Sequence, residues 1–422
     1  MKKKLNALSL SGLMVGPVLG SGIVVLPSLA YEALHGYAMF AWVLVMLLGA
    51  GFAYVFTRMS MMVTTNEGVS TLIGEALGVR FRELSANYLT AAVCFGPVAV
   101  IKTASGFVQG MLPTGTLPTL AICFLFMAVT VALLMCGIRL MGGVMLALST
   151  LTACVLTAGG AYSLFVNGPS ALPPGLPDIR TLGSTLLILF WAIIGWEVIG
   201  NYVEDVQNPR RTLIRAMRGS VTVVILVYFV VTYALQSSPL AKDGAAISLS
   251  AVMFPLFGAA APYLLGAVAL ALCYCTILMV MGAVTRQMAA RSEEGRLPAV
   301  FRQKPGSRAP ARAIALLSLV HCVMIVLVEM NIVSLAFVVG IANIFFIGNA
   351  ILGLLGAFKC MKGLWLGVVI LLLIACLASL LLFSPAMGWI LIVLITAWTV
   401  GAVPRMNGKN TGAHGEAPVQ KA

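Results

Sequence analysis

The chain has 422 residues, of which 61% are hydrophobic and only 9% are charged. Soluble domains carry about 25% charged residues, so the composition excludes a soluble globular chain and defines an integral membrane protein. The net charge of +13 requires no nucleic acid, because the cations sit between apolar runs, where they set topology and touch anionic lipid.

Long uncharged runs, such as those between Lys4 and Glu32, Arg218 and Lys242, and Glu329 and Lys359, exceed the roughly 20 residues a helical crossing needs. Twelve transmembrane helices are predicted, near 8–31, 37–60, 84–112, 117–137, 141–166, 181–203, 218–236, 255–285, 312–329, 331–356, 362–383 and 386–404. With the N-terminus placed in the cytoplasm, 23 of the 26 cationic residues fall inside and only Arg180 and Lys242 fall outside. That asymmetry supports both the even span number and cytoplasmic termini. The Met-Lys-Lys-Lys start and first apolar run imitate a signal peptide, but eleven further spans make it an uncleaved first helix.

The first span contains Gly16-Pro17-Val-Leu-Gly20-Ser21-Gly22-Ile23-Val-Val-Leu-Pro27. Each glycine costs about 1 kcal/mol in a helix interior, so this cluster predicts an unwound stretch near mid-membrane. Unwound backbone survives there only against packed protein or a cavity. The third span carries Lys102, the sole intramembrane cation, five residues after Pro97. Its expected roles are pairing with a carboxylate, standing in for a bound cation or titrating during transport, with snorkelling to an interface as the plain alternative.

The sixth span, Leu187-Ile-Leu-Phe190-Trp191-Ala-Ile-Ile194-Gly195-Trp-Glu197, has a second interruption and a carboxylate. A pair of interrupted spans at corresponding positions points to an inverted-repeat transporter and to its binding site. The amides of Ser21 to Ile23 would hold a carboxylate and the carbonyls from Phe190 to Ile193 an ammonium, so the two breaks together suit a zwitterion. Phe190 or Trp191 would cover it. An intramembrane Glu197 is a functional candidate by default; it would carry a proton, or hydrogen-bond the loose backbone and hold the break open. Next come a turn at Asn208-Pro209 and a basic segment 286–312, which is expected to form a short amphipathic cytoplasmic helix supporting a gate. The nine cysteines are scattered and read as packing residues. No metal-ligand cluster, phosphate loop or nucleophile elbow is visible, so neither an enzyme nor a cofactor is expected, and transport would run on an ion gradient.

Gly-Ser-Gly-Ile-Val-Val-Leu-Pro at 20–27, Phe-Trp-Ala-Ile-Ile-Gly-Trp-Glu at 190–197, Glu-Asp-Val-Gln-Asn-Pro-Arg-Arg at 204–211 and the loop Arg286 to Pro310 resemble segments of the amino acid–polyamine–organocation superfamily. Within it they are most similar to bacterial exporters of methionine and branched-chain amino acids, with arginine–agmatine antiporters also similar around the first span. The resemblance implies the five-plus-five inverted repeat of the leucine-transporter type. The first repeat would cover about 8–166 and the second 181–356, with added helices at 362–404 and a cytoplasmic tail at 405–422. It also implies substrate contacts at Gly20, Ser21, Gly22, Ile23, Trp191, Ile194 and Gly195, with Glu197 at the family's helix-six glutamate. Cys94-Phe95-Gly96-Pro97 stands where the antiporters carry a polar amide, which favours an apolar or thioether side chain over a cationic one. Thr276 is one hydroxyl where a sodium site would need more, so proton coupling through Glu197 and Lys102 is expected. The sequence thus predicts a proton-coupled exporter of methionine, leucine, isoleucine and valine in the bacterial inner membrane, monomeric or homodimeric, binding no nucleic acid. Uptake or exchange of a cationic amino acid or polyamine is the alternative, and a channel or membrane scaffold the reading from another class.

Overall fold

The computed structural model describes residues 5–112, 117–171, 173–239, 248–382 and 386–402. The expected tail at 405–422, Lys2, Lys3, Lys4 and Lys242 lie outside them. The described residues contain no β-strand beyond one isolated pairing of Leu5 with Val206. The helices are α1 (Ala7–Leu19), α2 (Gly22–Leu34), α3 (Ala38–Ser60), α4 (Val69–Leu77), α5 (Val79–Met111), α6 (Thr119–Met135), α7 (Ile138–Asn167) and α8 (Ile179–Leu189). After short 3-10 turns at Phe190–Ile193 and Glu197–Asp205 come α9 (Pro209–Gln236), α10 (Leu249–Phe257), α11 (Ala261–Glu293), α12 (Ala311–Glu329), α13 (Leu335–Cys360), α14 (Leu364–Leu381) and α15 (Ala386–Ala402). Among the described residues, nine helical stretches are long and apolar enough to cross a membrane, and α6 and α15 are shorter apolar helices.

Two local expectations change. Residues 286–293 are not a separate amphipathic helix: α11 runs unbroken from Ala261 to Glu293. Nothing between Thr285 and Gly295 breaks a helix, so the first charges mark a change of surroundings rather than a helix end. For the same reason α9 starts at Pro209, ahead of the apolar run, because proline is favoured in a first helical turn. The short helix α4, between α3 and α5, was not legible from hydropathy. The sixth span is α-helical only to Leu189; beyond it the chain continues as 3-10 turns around the extended Ile194.

Helix α5 is the central post of the bundle and packs on α4, α6, α11, α12, α13 and α15. Helix α1 lies against α7, α9 and α11. Lipid tails are as apolar as leucine, so close backbone approach at small residues supplies much of the helix association. Gly12 is such a point: a Cβ there would lie 2.4 Å from the Leu146 Cα on α7. Both atoms belong to rigid helices, so neither side gives way. Gly12→Ala is expected to cost about 1–3 kcal/mol, read as a lowered thermal midpoint of the detergent-purified protein. Gly143→Ala, whose Cβ would meet nothing within 4 Å, should leave the midpoint unchanged.

Candidate functional site

The first break follows from Gly20. Its φ of +45° and ψ of −156° lie where L-residues are strained. A Cβ there would also come within 2.6 Å of the Pro17 carbonyl and 2.8 Å of Thr276 Oγ1. Helix α1 therefore stops, and α2 restarts at Gly22 with the buried Ser21 at its N-cap. The N–H groups of Gly22 and Ile23 fall in the opening turn, where a helix supplies no carbonyls. On the α1 side, the Tyr228 hydroxyl of α9 reaches the carbonyl oxygens of Val18 at 3.3 Å and Leu19 at 3.2 Å. Tyr228 is fully buried and stacked on Trp42 at 4.4 Å. The hydroxyl of Thr276 donates to Leu272 O at 3.0 Å and lies 3.5 Å from Pro17 O.

In the second break, Ile194 is extended (φ −68°, ψ 136°) and Gly195 has φ +125°. The buried Glu197 answers it directly, its Oε2 accepting from the Gly195 N–H at 2.9 Å. A carboxylate two residues on thus pins the turn that displaces the helix.

The breaks meet at a small cavity of about 20 Å³. Its walls are Pro17 of α1, Gly96, Pro97 and Val100 of α5, Trp191, Ile194 and Gly195 of the second break, Thr276 and Val280 of α11, and Phe346 of α13. Of the residues expected to touch substrate, Trp191, Ile194 and Gly195 line it. Gly22 faces it across Trp191, since a Cβ on Gly22 would lie 3.7 Å from Trp191 Cδ1. Gly20, Ser21 and Ile23 are buried behind that wall, and Phe190 is packed in the core rather than on the cavity. Val100, Val280, Phe346 and Tyr228 were missed. The two valines and Phe346 look like any other apolar residue in a span, whereas a tyrosine in mid-span signals that its hydroxyl needs a partner. At this volume, near that of one water, helix movement must precede occupation by an amino acid.

Lys102 is not at the breaks. It pairs with Glu329 at the end of α12, a partner the sequence reading used only as a span boundary. It borders a larger cavity of about 490 Å³ with Thr103, Phe107, Ser248, Pro262 and Leu265. Size does not make that cavity the site, because neither break contributes to it.

At the opposite end of α5, three arginines and three glutamates interlock. Glu67, fully buried in the turn after α3, accepts from Arg82 Nε at 3.0 Å and also pairs with Arg296. Arg296 also binds Glu83 and Glu294, Arg82 binds Glu294 at 2.8 Å, and Arg291 binds Glu83 at 2.6 Å. The sixth span joins this network through Asn201, whose amide donates to Glu67 O at 3.0 Å, and through Glu204, which accepts from Asn66 N at 2.9 Å. Arg286 ties Asp205 to α11 at 3.1 Å.

Residues 5–407 match the amino acid permease family, and the chain belongs to it. It is 22% identical over 317 residues to the uncharacterized amino acid permease YecA of Bacillus subtilis (strain 168), covering 74% of each chain. To the L-methionine/branched-chain amino acid exporter YjeH of Escherichia coli (strain K12) it is 24% identical over 287 residues, 66% of this chain and 67% of that one. To the cadaverine/lysine antiporter of the same strain it is 23% identical over 348 residues, 78% of this chain and 76% of that one. Exporters and antiporters therefore stand among its relatives.

Burial alone would push the Glu67 carboxyl up, but hydrogen bonds and charge from Arg82 and Arg296 outweigh it and hold it below its ordinary 4.5. The network's stabilisation is therefore fully present above pH 4.5 and is lost as pH falls through the lowered folded value. Glu67→Gln should lower the thermal midpoint at neutral pH, by about 3 kcal/mol of lost buried pairing. It should also flatten the wild-type decline on acidification, both followed by thermal unfolding across pH 3–7.

Proposed function

We propose that the chain is a secondary active transporter that exports small apolar L-amino acids, namely methionine, leucine, isoleucine and valine, across the bacterial inner membrane in exchange for protons. The observation that carries this reading is the cavity shared by the two breaks, whose lining includes no charged side chain. A buried cationic side chain there would go uncompensated, whereas a thioether or branched alkyl chain would meet Trp191, Ile194, Val280 and Phe346. The amides of Ser21, Gly22 and Ile23 would bind the substrate carboxylate and the carbonyls from Phe190 to Ile193 its ammonium, after α2 and the second break move apart to open the site. The fold in this reading is the five-plus-five repeat with two added helices and both termini cytoplasmic. Nine apolar stretches and two shorter helices, with room for a second crossing inside the 54 residues of Ala7–Ser60, are compatible with twelve spans.

Glu197 is the proton carrier of the proposed cycle. Protonation would replace its charge-assisted bond to the Gly195 N–H by a weaker neutral one, loosening the turn that shapes the site. Lys102, paired with Glu329, is the second coupling residue in this reading. The similarity to a cadaverine/lysine antiporter is the one observation that favours a cationic substrate instead.

Counterflow in proteoliposomes tests the reading. Methionine, leucine, isoleucine or valine on the far side should drive uptake of labelled methionine, and lysine or cadaverine should not. Exchange of the cations alone would establish the alternative, and substrate-independent conductance would establish a channel. Glu197→Gln should retain exchange while losing its response to a pH gradient; an undiminished response would remove the role given to Glu197.

A further inference from the structure

Pro97 sits inside α5, and a proline has no N–H to give to the carbonyl four residues earlier. That carbonyl belongs to Val93, which is fully buried. The donor comes from another helix: His321 of α12, itself fully buried, places Nε2 2.7 Å from Val93 O. A carbonyl only accepts, so the imidazole carries its proton on Nε2. Its Nδ1 is left without a partner in the structure. Other helices also hold internal prolines, at Pro17, Pro27 and Pro255. Among the described residues, only at Pro97 does a side chain from a different helix answer the freed carbonyl.

We infer that His321 is a positioning residue for the substrate cavity: it replaces the backbone donor that Pro97 removes and so fixes the α5 wall around Pro97. The inference rests on the proposed transport function. The same turn of α5 carries Gly96, Pro97 and Val100 into the cavity opposite Trp191 and Ile194. A Cβ on Gly96 would lie 3.4 Å from Phe346 and 3.8 Å from Trp191, so small shifts of α5 change the cavity directly. Without the imidazole, the Val93 carbonyl is an unpaired acceptor in apolar surroundings, and α5 must shift to pair it. His321 acts through the backbone of α5, at the Val93 carbonyl.

The test is a double-mutant cycle in which Pro97→Ala restores the missing N–H. In the wild-type background His321→Leu should raise the half-saturation for methionine counterflow about tenfold, with a maximal rate within about twofold, the pattern of lost uniform binding. His321→Gln, which keeps a donor near the Nε2 position, should restore most of the loss. In the Pro97→Ala background His321→Leu should cost nothing further. An equal loss in both backgrounds, or no rescue by glutamine, overturns the inference. The same cycle read as thermal midpoints of the purified protein keeps the two readings separable. Coupled midpoints without any amino acid exchange would support the Pro97–His321 linkage and defeat the transport reading. Additive midpoints would defeat the linkage itself.

Discussion

The structure depends on one constraint: inside a bilayer, every backbone N–H and C=O must find its partner within the protein. This chain breaks regular helix after Leu19 and after Leu189, and Pro97 removes one donor inside the continuous α5; side chains answer all three. Tyr228 reaches the carbonyls that end α1, Glu197 takes the Gly195 N–H, and His321 serves the carbonyl freed by Pro97. The glycines and prolines make the breaks possible; these three polar side chains make them stable. The three sites come together at one small cavity, whose walls include residues of α1, of α5 around Pro97 and of the second break.

A polar group that answers one bond can also release it. A regular α-helix is held by many parallel hydrogen bonds and has no second arrangement of similar energy. The Ile194–Gly195 turn is pinned by one carboxylate contact, and in the proposed cycle a proton competes for it. This is the kind of discrete element through which coupling between sites is carried. The wall contributed by α5 is different in kind. A neutral imidazole bound to a carbonyl is a fixed strut, so the cavity has one wall suited to move and one suited to stay.

Much of this was legible in the sequence, and unevenly. Gly20, Gly22 and Gly195 announced the breaks because glycine in an apolar span is costly and needs a reason. Glu197 stood out because an intramembrane carboxylate is rare. The partners were harder. Tyr228 and His321 lie in spans of their own, and nothing in one sequence says which distant carbonyl each will face. A proline at 97 leaves the Val93 carbonyl without its helical donor, a consequence that the sequence reading did not draw. Hydropathy also misplaced helix ends, as at Pro209 and Glu293, because it reports the surroundings of a helix rather than the continuity of its hydrogen bonds. The ion network was invisible for a related reason: Glu67, Arg82, Glu83, Arg291, Glu294 and Arg296 belong to three separate segments that only the fold brings together.

That network sets the asymmetry of the molecule. Arg82 and Lys102 stand on the same helix, about 30 Å apart at 1.5 Å per residue. The Arg82 end is closed by three arginines and three glutamates in mutual contact, with the sixth span bound in through Asn201 and Glu204. Among the described residues, the Lys102 end has one ion pair, beside a cavity of about 490 Å³. Separating one partly exposed pair costs little, whereas stranding a buried charge such as Glu67 costs several kcal/mol, about 3–5 for a fully buried pair. In the proposed cycle, parting the Arg82 end therefore costs more than parting the Lys102 end. At the Arg82 end the arginines are shared, Arg296 among Glu67, Glu83 and Glu294 and Arg82 between Glu67 and Glu294, so no carboxylate in the network depends on a single partner.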